Sequence, residues 1–386
     1  MRTIEQRFTV SYAYPVVFLR DLFAPDCEVL AELLARETSA PTPRRVWVIL
    51  DRGVELNHPD LPLRITQWLI AHASTIQPIA PIEVFSGGEF VKRQGNIDRI
   101  VKKAYQAHMG RKDFFIAIGG GALQDAVGYA AGTIHRGCHV IRINTTTLSQ
   151  ADAGVGVKNG IDYASYKNFL GTFAPPFAVI NDASFLTTLS DKDWRNGIAE
   201  AVKVAVIKDY TFFQWLEEHA DLLRGRDLDT MAELIERTAA LHLAHIAGAG
   251  DPFEKGAARP LDFGHWSAHC LESMTSYEMS HGEAVAIGIA LDMVYAALQD
   301  FVTPPECTRV VALLRNCGLP IWSDELALRG GDGRLAILKG LQQFREHLGG
   351  QLCITLPTGL GSKQEIHEMD EALLERSVTM LRDRYA

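Results

Sequence analysis

Residues 114–147, FFIAIGGGALQDAVGYAAGTIHRGCHVIRINTTT, read as strand, helix and strand in succession. The Phe and Ile runs suit a pleated, buried surface, whereas ALQDAVGYAAG carries small residues that let a helix pack closely. Two strands joined by a helix pair in parallel, because such a crossover returns the chain in the same direction. Gly119, Gly120 and Gly121 fall where the first strand passes into the helix. There a dinucleotide pyrophosphate can meet backbone N–H groups and the positive end of the helix. GGGALQD is not the GxGxxG fingerprint, and a tight turn in any α/β protein accounts for it as well.

The same alternation continues towards the N-terminus. VWVIL (46–50) is a short strand ending at Asp51, residues 63–74 are helical, IEVFSGG is a strand, and residues 96–108 are amphipathic. These segments predict a Rossmann-like, doubly wound parallel sheet. Beyond residue 186 the pattern changes to long helices with short connections, at 194–207, 212–223, 228–246 and 281–299. FAPPFAVINDASFLTTLS, with its Pro-Pro and Asn-Asp, marks the join. The expected fold class is an α/β N-terminal domain, residues 1–185, followed by a mainly α-helical C-terminal domain, residues 186–386.

A chain of 386 residues is too long for one ordinary core, and 47% hydrophobic with 22% charged residues is a globular composition. The formal charge of −9 argues against nucleic acid or an anionic membrane as partner, since both need a basic face. MRTIEQRFTV lacks the apolar stretch of a secretory signal. The longest apolar run, AVAIGIALDMVYAAL, is too short to span a bilayer and contains Asp292, so it reads as a buried helix. Six scattered cysteines without CxxC spacing read as reduced core residues. A cytoplasmic protein is expected.

Chemistry concentrates in residues 261–288, LDFGHWSAHCLESMTSYEMSHGEAVAIG. This mostly apolar segment carries Asp262, His265, His269, Glu272, His281 and Glu283, and ionisable groups buried without partners cost several kcal/mol each. His265 and His281, completed by a third ligand, would form a catalytic metal site with an open position. Glu200, in the apolar helical stretch NGIAEAVKVAVIKD, is the best candidate for that ligand, with Lys203 nearly one turn away on the same face. Taken singly, each histidine is also explained as a hydrogen-bonded core residue, and Glu200 by a salt bridge to a lysine. His265 and His269 are spaced as in HExxH, but Trp266 stands where its glutamate belongs, which excludes a zincin. Cys270 reads as packing. A third cluster, residues 145–171, sets Asp152, Lys158, Lys167 and Asn168 among glycines, with Arg136 just upstream. It suits a phosphate or polyol phosphate, and a solvated surface loop is the alternative.

Taken together, these clusters resemble the 3-dehydroquinate synthase family, the sugar phosphate cyclases. The matching motifs are GGGxxxDxxG at 119–128, RG at 136–137, TTxLxxxDxxxGxK at 145–158 and KNxxG at 167–171. GxAExxK at 197–203, GHxxxHxxE at 264–272 and HGExVxxG at 281–288 follow in the same order. The resemblance implies an NAD-binding α/β domain and a helical metal- and substrate-binding domain, with NAD⁺ and Zn²⁺ (or Co²⁺) as cofactors. It implies Glu200, His265 and His281 as metal ligands. Cofactor contacts would be Asp51, Glu89, Lys92, Gly120, Gly121, Asp125, Thr145 and Thr146. Asp152, Lys158, Lys203, His269 and Asp262 would serve catalysis. Arg136, Lys167, Asn168, His242, Arg259 and Arg345 would bind a sugar phosphate substrate, Arg136 across the interface of a homodimer. The implied chemistry is transient oxidation of a secondary alcohol, β-elimination of phosphate, return of the hydride and an aldol closure.

Departures from the family pattern bear on the substrate. Members that make 3-dehydroquinate have Asn in LNxGH, whereas this chain has Asp262 in LDFGH and resembles the members acting on sedoheptulose 7-phosphate. Their carboxylate-binding arginine, four residues earlier, corresponds to Ala258, with Arg259 adjacent. Residues 226–254 contain no lysine where the family places one, and offer His242 and His245. A further lysine expected near FREHLGG is replaced by Arg345, Glu346 and His347. Retained His269 sets the chain apart from several valiolone-type synthases. The expected reaction is conversion of a heptulose 7-phosphate, sedoheptulose 7-phosphate, to a C7 cyclitol. The alternatives are a 3-dehydroquinate synthase using 3-deoxy-arabino-heptulosonate 7-phosphate and a metal-dependent NAD polyol dehydrogenase.

Overall fold

The apolar runs of the N-terminal half become strands β1 (Val16–Leu19), β2 (Arg44–Asp51), β3 (Ile76–Pro78), β4 (Glu83–Phe85), β5 (Phe114–Gly119), β6 (His139–Asn144) and, further on, β9 (Ala178–Asp182). Residues 1–39, 42–164, 166–248, 253, 260–347 and 351–385 are described by the computed structural model. The strands form one seven-stranded sheet, six of them in the order β1-β9-β6-β5-β2-β3 and β4 paired with β2 off that path. β2 pairs in parallel with β3 through its first residues and with β4 through its last. Helices α1 (Val29–Ala35), α2 (Arg52–Asn57), α3 (Leu61–Ala71), α4 (Gln94–Gln106) and α5 (Gly121–Thr133) connect them. Every residue of β5 is buried, which is why that strand reads as an unbroken apolar run rather than an alternating one. Register places Gly119 opposite Asn144 and Leu50 opposite Ile118, so Asp51, Gly119 and Asn144 lie together at the carboxyl edge of the sheet.

Residues 145–171, for which a solvated surface loop was the alternative reading, are mostly structured. A helical turn, Ser149–Ala153, precedes an antiparallel hairpin of β7 (Lys158–Tyr163) and β8 (Tyr166–Phe173). Ile161 is fully buried in the core that α5 shares, and the buried Asn159 accepts from the Arg142 guanidinium at 2.7 Å. Gly128 makes this approach possible, because a Cβ there would lie 1.7 Å from Asn159 Oδ1.

Two compact units result, Met1–Asn144 with Val157–Asn181, and Thr145–Gly156 with Asp182–Ala386. The single boundary expected at 185/186 is thus replaced by a chain that enters the second unit twice. Residues 145–156 belong there because Ala151 packs into the helical core and Thr147 Oγ1 donates to Asp193 O at 2.7 Å while accepting from Gly197 N.

The second unit comprises α6 (Asp191–Lys208), α7 (Tyr210–Arg224), α8 (Leu228–Gly248), α9 (His265–Met274), α10 (His281–Leu298), α11 (Pro304–Asn316), α12 (Lys339–His347) and α13 (Glu371–Met380), with a small hairpin of β10 (Ile354–Pro357) and β11 (Lys363–Ile366). Among the described residues α10 alone is long and apolar enough to cross a membrane, yet 78% of it is buried inside the protein. A helix apolar all round with that burial is a core helix. All six cysteines are free thiols, four of them buried.

Candidate active site

Three helices, α6, α9 and α10, bring the central residues together. α6 starts at Ser190, whose hydroxyl accepts from Asp193 N, and runs almost wholly buried past Glu200 and Lys203. α10 starts with a capping box between Ser280 and Glu283, which satisfies two orphan N–H groups. Ser280 Oγ also donates to Asn196 Oδ1 at 2.8 Å. Gly282 lies so close to α6 that a Cβ would sit 2.4 Å from the Asn196 Cα. His281 therefore meets Glu200, with Nε2 3.2 Å from Oε1. His265, the first residue of α9, places its Nε2 3.6 Å from the same oxygen.

The ligating atoms of Glu200, His265 and His281 all lie within 4.8 Å of one another. His265 Nδ1 donates to Phe263 O at 3.0 Å, which leaves Nε2 with its lone pair towards Glu200. His281 Nδ1 stands 3.6 Å from Glu272 Oε2, a carboxylate–histidine arrangement of the kind that orients metal-ligating imidazoles. Two imidazoles and a carboxylate around an open position fit a divalent cation such as zinc. Burial opposes the charge on His281, but Glu200 and Glu272 push its imidazole up to about 10. An incoming metal must displace that proton, since only the neutral ring ligates.

Lys203 dominates the local electrostatics. Its ammonium pairs with Glu200 Oε2, so Glu200 is held through one oxygen and presents the other to the histidines. Burial works against the ammonium, but Glu200, Asp152 and then Asp262 raise its pKa to about 12. Glu200 sits well below its ordinary value, because Lys203 and the histidines outweigh the cost of burial. Asp152, on the helical turn before β7, accepts from His242 at 2.7 Å. Burial opposes its charge too, yet Lys203 and His242 bring it from 3.8 to about 2.

A depressed carboxylate stabilises the fold above its unfolded pKa and loses that contribution as pH falls towards its folded value. Without added metal, the wild-type chain should exceed Asp152→Asn by about 2 kcal/mol near neutral pH. The gap should close as pH falls through 4 towards 2. Urea unfolding of both proteins across that range checks it, and a gap independent of pH would contradict the assignment.

Of the other sequence candidates, His269 lies beside the trio, its ring 5.6 Å from that of His265 and 6.1 Å from that of His281, and the rest are placed as follows. Lys92 is nearly buried in the first unit, with Nζ 3.1 Å from Asp125 Oδ2 and 3.4 Å from Glu89 Oε1, and it also donates to Asn168 Oδ1. Lys167 Nζ reaches Glu89 at 3.8 Å. Three candidates are thus gathered around the Lys92 ammonium, and Lys167 joins them through Glu89. Asp51 caps α2 by accepting from Gly53 N at 2.7 Å, and Gly87 opposite it leaves no room for a side chain. Gly120 and Gly121 stand at the N-terminus of α5. Thr145 is buried and Thr146 bonds to Ser149, both in the second unit. Lys158 is exposed at the start of β7, and Arg136 is exposed on a turn where it adopts φ 64°. His269 is exposed on α9 and Arg345 on α12, whereas Ala258 and Arg259 lie outside the described residues.

Glu283, which looked chemical in sequence, caps α10 and pairs with Lys192 at 2.9 Å. Glu272 had no assigned role. Its spacing of seven from His265 and three from His269 was the available signal, since all three share a helix face. Asp292 was noticed only as an interruption of an apolar run.

Comparison with known proteins places the chain in a family. The 3-dehydroquinate synthase N-terminal family matches residues 82–196 and the 3-dehydroquinate synthase C-terminal family residues 197–332. The chain belongs to the 3-dehydroquinate synthase family, the sugar phosphate cyclases. It is 32% identical over 360 residues to the 2-epi-valiolone synthase of Actinosynnema mirum, covering 93% of this chain and 90% of that one. It is 35% identical over 367 residues to the 3-dehydroquinate synthase of Dichelobacter nodosus, covering 95% and 94%. The structure of ValA, the 2-epi-5-epi-valiolone synthase of Streptomyces hygroscopicus subsp. jinggangensis 5008 with NAD⁺ and Zn²⁺ bound, superimposes with a TM-score of 0.85 at 27% identity. That match covers 98% of this chain and 99% of ValA.

Proposed function

We propose that this chain closes a heptulose 7-phosphate, sedoheptulose 7-phosphate, to a C7 cyclitol with release of phosphate, using NAD⁺ and Zn²⁺ (or Co²⁺). The observation that carries the substrate is the charge balance around Lys203. One buried ammonium faces three carboxylates, Glu200, Asp152 and Asp262, and His242 is already engaged by Asp152. A substrate carboxylate brought to this place meets acids rather than spare cations. A neutral hydroxymethyl ketone instead offers hydroxyls that the carboxylates accept. The likeness to valiolone-type synthases supports this reading, and the Dichelobacter relative keeps a 3-dehydroquinate synthase as the second one.

When bound, NAD⁺ supplies a reversible hydride acceptor and the metal a Lewis acid. Glu200, His265 and His281 would hold the metal, with Lys203 anchoring Glu200 and Glu272 orienting His281. Asp51, Glu89, Lys92, Gly120, Gly121, Asp125, Thr145 and Thr146 are assigned to the cofactor. Arg136, Lys158, Lys167 and Arg345 are assigned to the phosphate, whose departure cations ease by neutralising developing charge. Asp152, Asp262, His269, Asn168 and His242 are assigned to the hydroxyls and the moving protons, with Arg259 in reserve for a carboxylate. We place the protein in the cytoplasm as a homodimer.

Phosphate release is the test, with each heptulose 7-phosphate offered separately in the presence of NAD⁺ and metal. Release from sedoheptulose 7-phosphate without lasting NADH absorbance is expected. Release only from the 3-deoxy keto acid would overturn the substrate assignment, and accumulation of NADH would indicate a dehydrogenase.

A further inference from the structure

Asp292 is a fully buried carboxylate in the middle of α10, eleven residues beyond His281. Among the described residues, neither of its oxygens meets a cation. Oδ2 accepts from Gly264 N at 3.0 Å and Oδ1 from Trp266 Nε1 at 2.8 Å. These donors belong to the two residues that flank His265.

The rest of the contact is equally close. Gly264 adopts φ 78°, the left-handed region that favours glycine, and its carbonyl oxygen sits against Gly288, one turn before Asp292. A Cβ at Gly288 would lie 2.0 Å from that oxygen, and one at Gly264 would lie 2.9 Å from Ile289 N. The turn that presents His265 is therefore pressed into α10 and tied there at both ends by one side chain. Within it, Phe263 O holds His265 Nδ1. Isolating a carboxylate in an apolar helix is costly, and these two N–H donors are its compensation.

We infer that Asp292 is a positioning residue of the metal centre, setting the place and ring orientation of His265 through Gly264 and Trp266. α10 then supplies one histidine directly, as His281, and aims the other through Asp292. This rests on Glu200, His265 and His281 holding a divalent cation, and is independent of which sugar phosphate is used.

The test is Asp292→Asn in the full chain, read by Zn²⁺ affinity in chelator competition and by the visible absorption of the Co²⁺ form. Asparagine keeps the size but turns an NH₂ group towards one of the two donors. Zn²⁺ binding should weaken about tenfold to hundredfold, as for other partners that orient metal ligands. The Co²⁺ bands should shift or lose intensity while the far-ultraviolet circular dichroism stays as in the wild type. A folded variant with wild-type Zn²⁺ affinity and a wild-type Co²⁺ spectrum would overturn the inference, leaving Asp292 a tie between helices.

Should Asp292→Asn fail to fold, Trp266→Phe removes only the indole donor. It should weaken Zn²⁺ roughly threefold to tenfold, and unchanged affinity there would overturn the inference equally. Absence of Zn²⁺ binding by the wild-type chain would instead sink the metal-centre reading on which it rests.

Discussion

Glu200→Gln is expected to abolish tight metal binding and to lower phosphate release by roughly a thousandfold or more. Glu200 Oε1 faces both candidate histidine ligands, at 3.2 Å and 3.6 Å, and is the site's anionic donor. An amide oxygen in its place carries no net charge. A Lewis acid is worth several kcal/mol of transition-state stabilisation, and each 1.36 kcal/mol is about tenfold in rate. The substitution also strips Lys203 of its nearest counter-charge, and breaking one side of a buried ion pair costs about 3–5 kcal/mol. Asp152 remains to offset part of that loss, so a folded but less stable protein is expected. The double variant Glu200→Gln/Lys203→Met removes both charges and should recover stability without recovering activity. Metal content, thermal unfolding and phosphate release distinguish these effects. A Glu200→Gln protein that retains wild-type metal content would remove Glu200 from the centre.

Sedoheptulose 7-phosphate is expected to exceed the 3-deoxy keto acid in kcat/KM by roughly a hundredfold to ten-thousandfold. Charge-assisted hydrogen bonds contribute about 1.5–3 kcal/mol each, and two expected partners of a substrate carboxylate are altered, at Ala258 and at His242. Their combined loss, about 3–6 kcal/mol, corresponds to that ratio. His242 cannot simply step in, because its Nδ1 is 2.7 Å from Asp152 Oδ1. Asp262 adds a like charge, so Asp262→Asn should narrow the preference by raising the rate with the keto acid. Comparable kcat/KM values for the two substrates in the wild-type protein would refute the charge argument. Arg259 would then be the first residue to replace.

The strand–helix–strand unit of residues 114–144 was legible because its strands are short apolar runs, the stretch between them is rich in small residues, and glycines punctuate them. The helical second half was legible from its long helical patterns with short connections. The trio Glu200, His265 and His281 stood out because acids and imidazoles are costly in apolar helices, whatever surrounds them. Glu283 stood out equally but was given no role, although Ser280 three residues before it already spelled a capping box. The hairpin of residues 158–173 was missed, since its glycines and polar residues hide an alternation that only burial of Asn159 and Ile161 reveals.

What local sequence determined, then, were the periodicities, the caps and turns, and the presence of charges that needed partners. Which partners they found was decided by tertiary packing. Glycines at 282 and 288 let α10 approach α6 and the turn before α9 to within backbone contact. That proximity sets His281 and His265 on one oxygen of Glu200 and closes Asp292 onto Gly264 and Trp266. Hydrogen bonds between residues 26 and 28 positions apart leave no periodic trace in a chain, because their geometry arises only when the helices that carry them are packed.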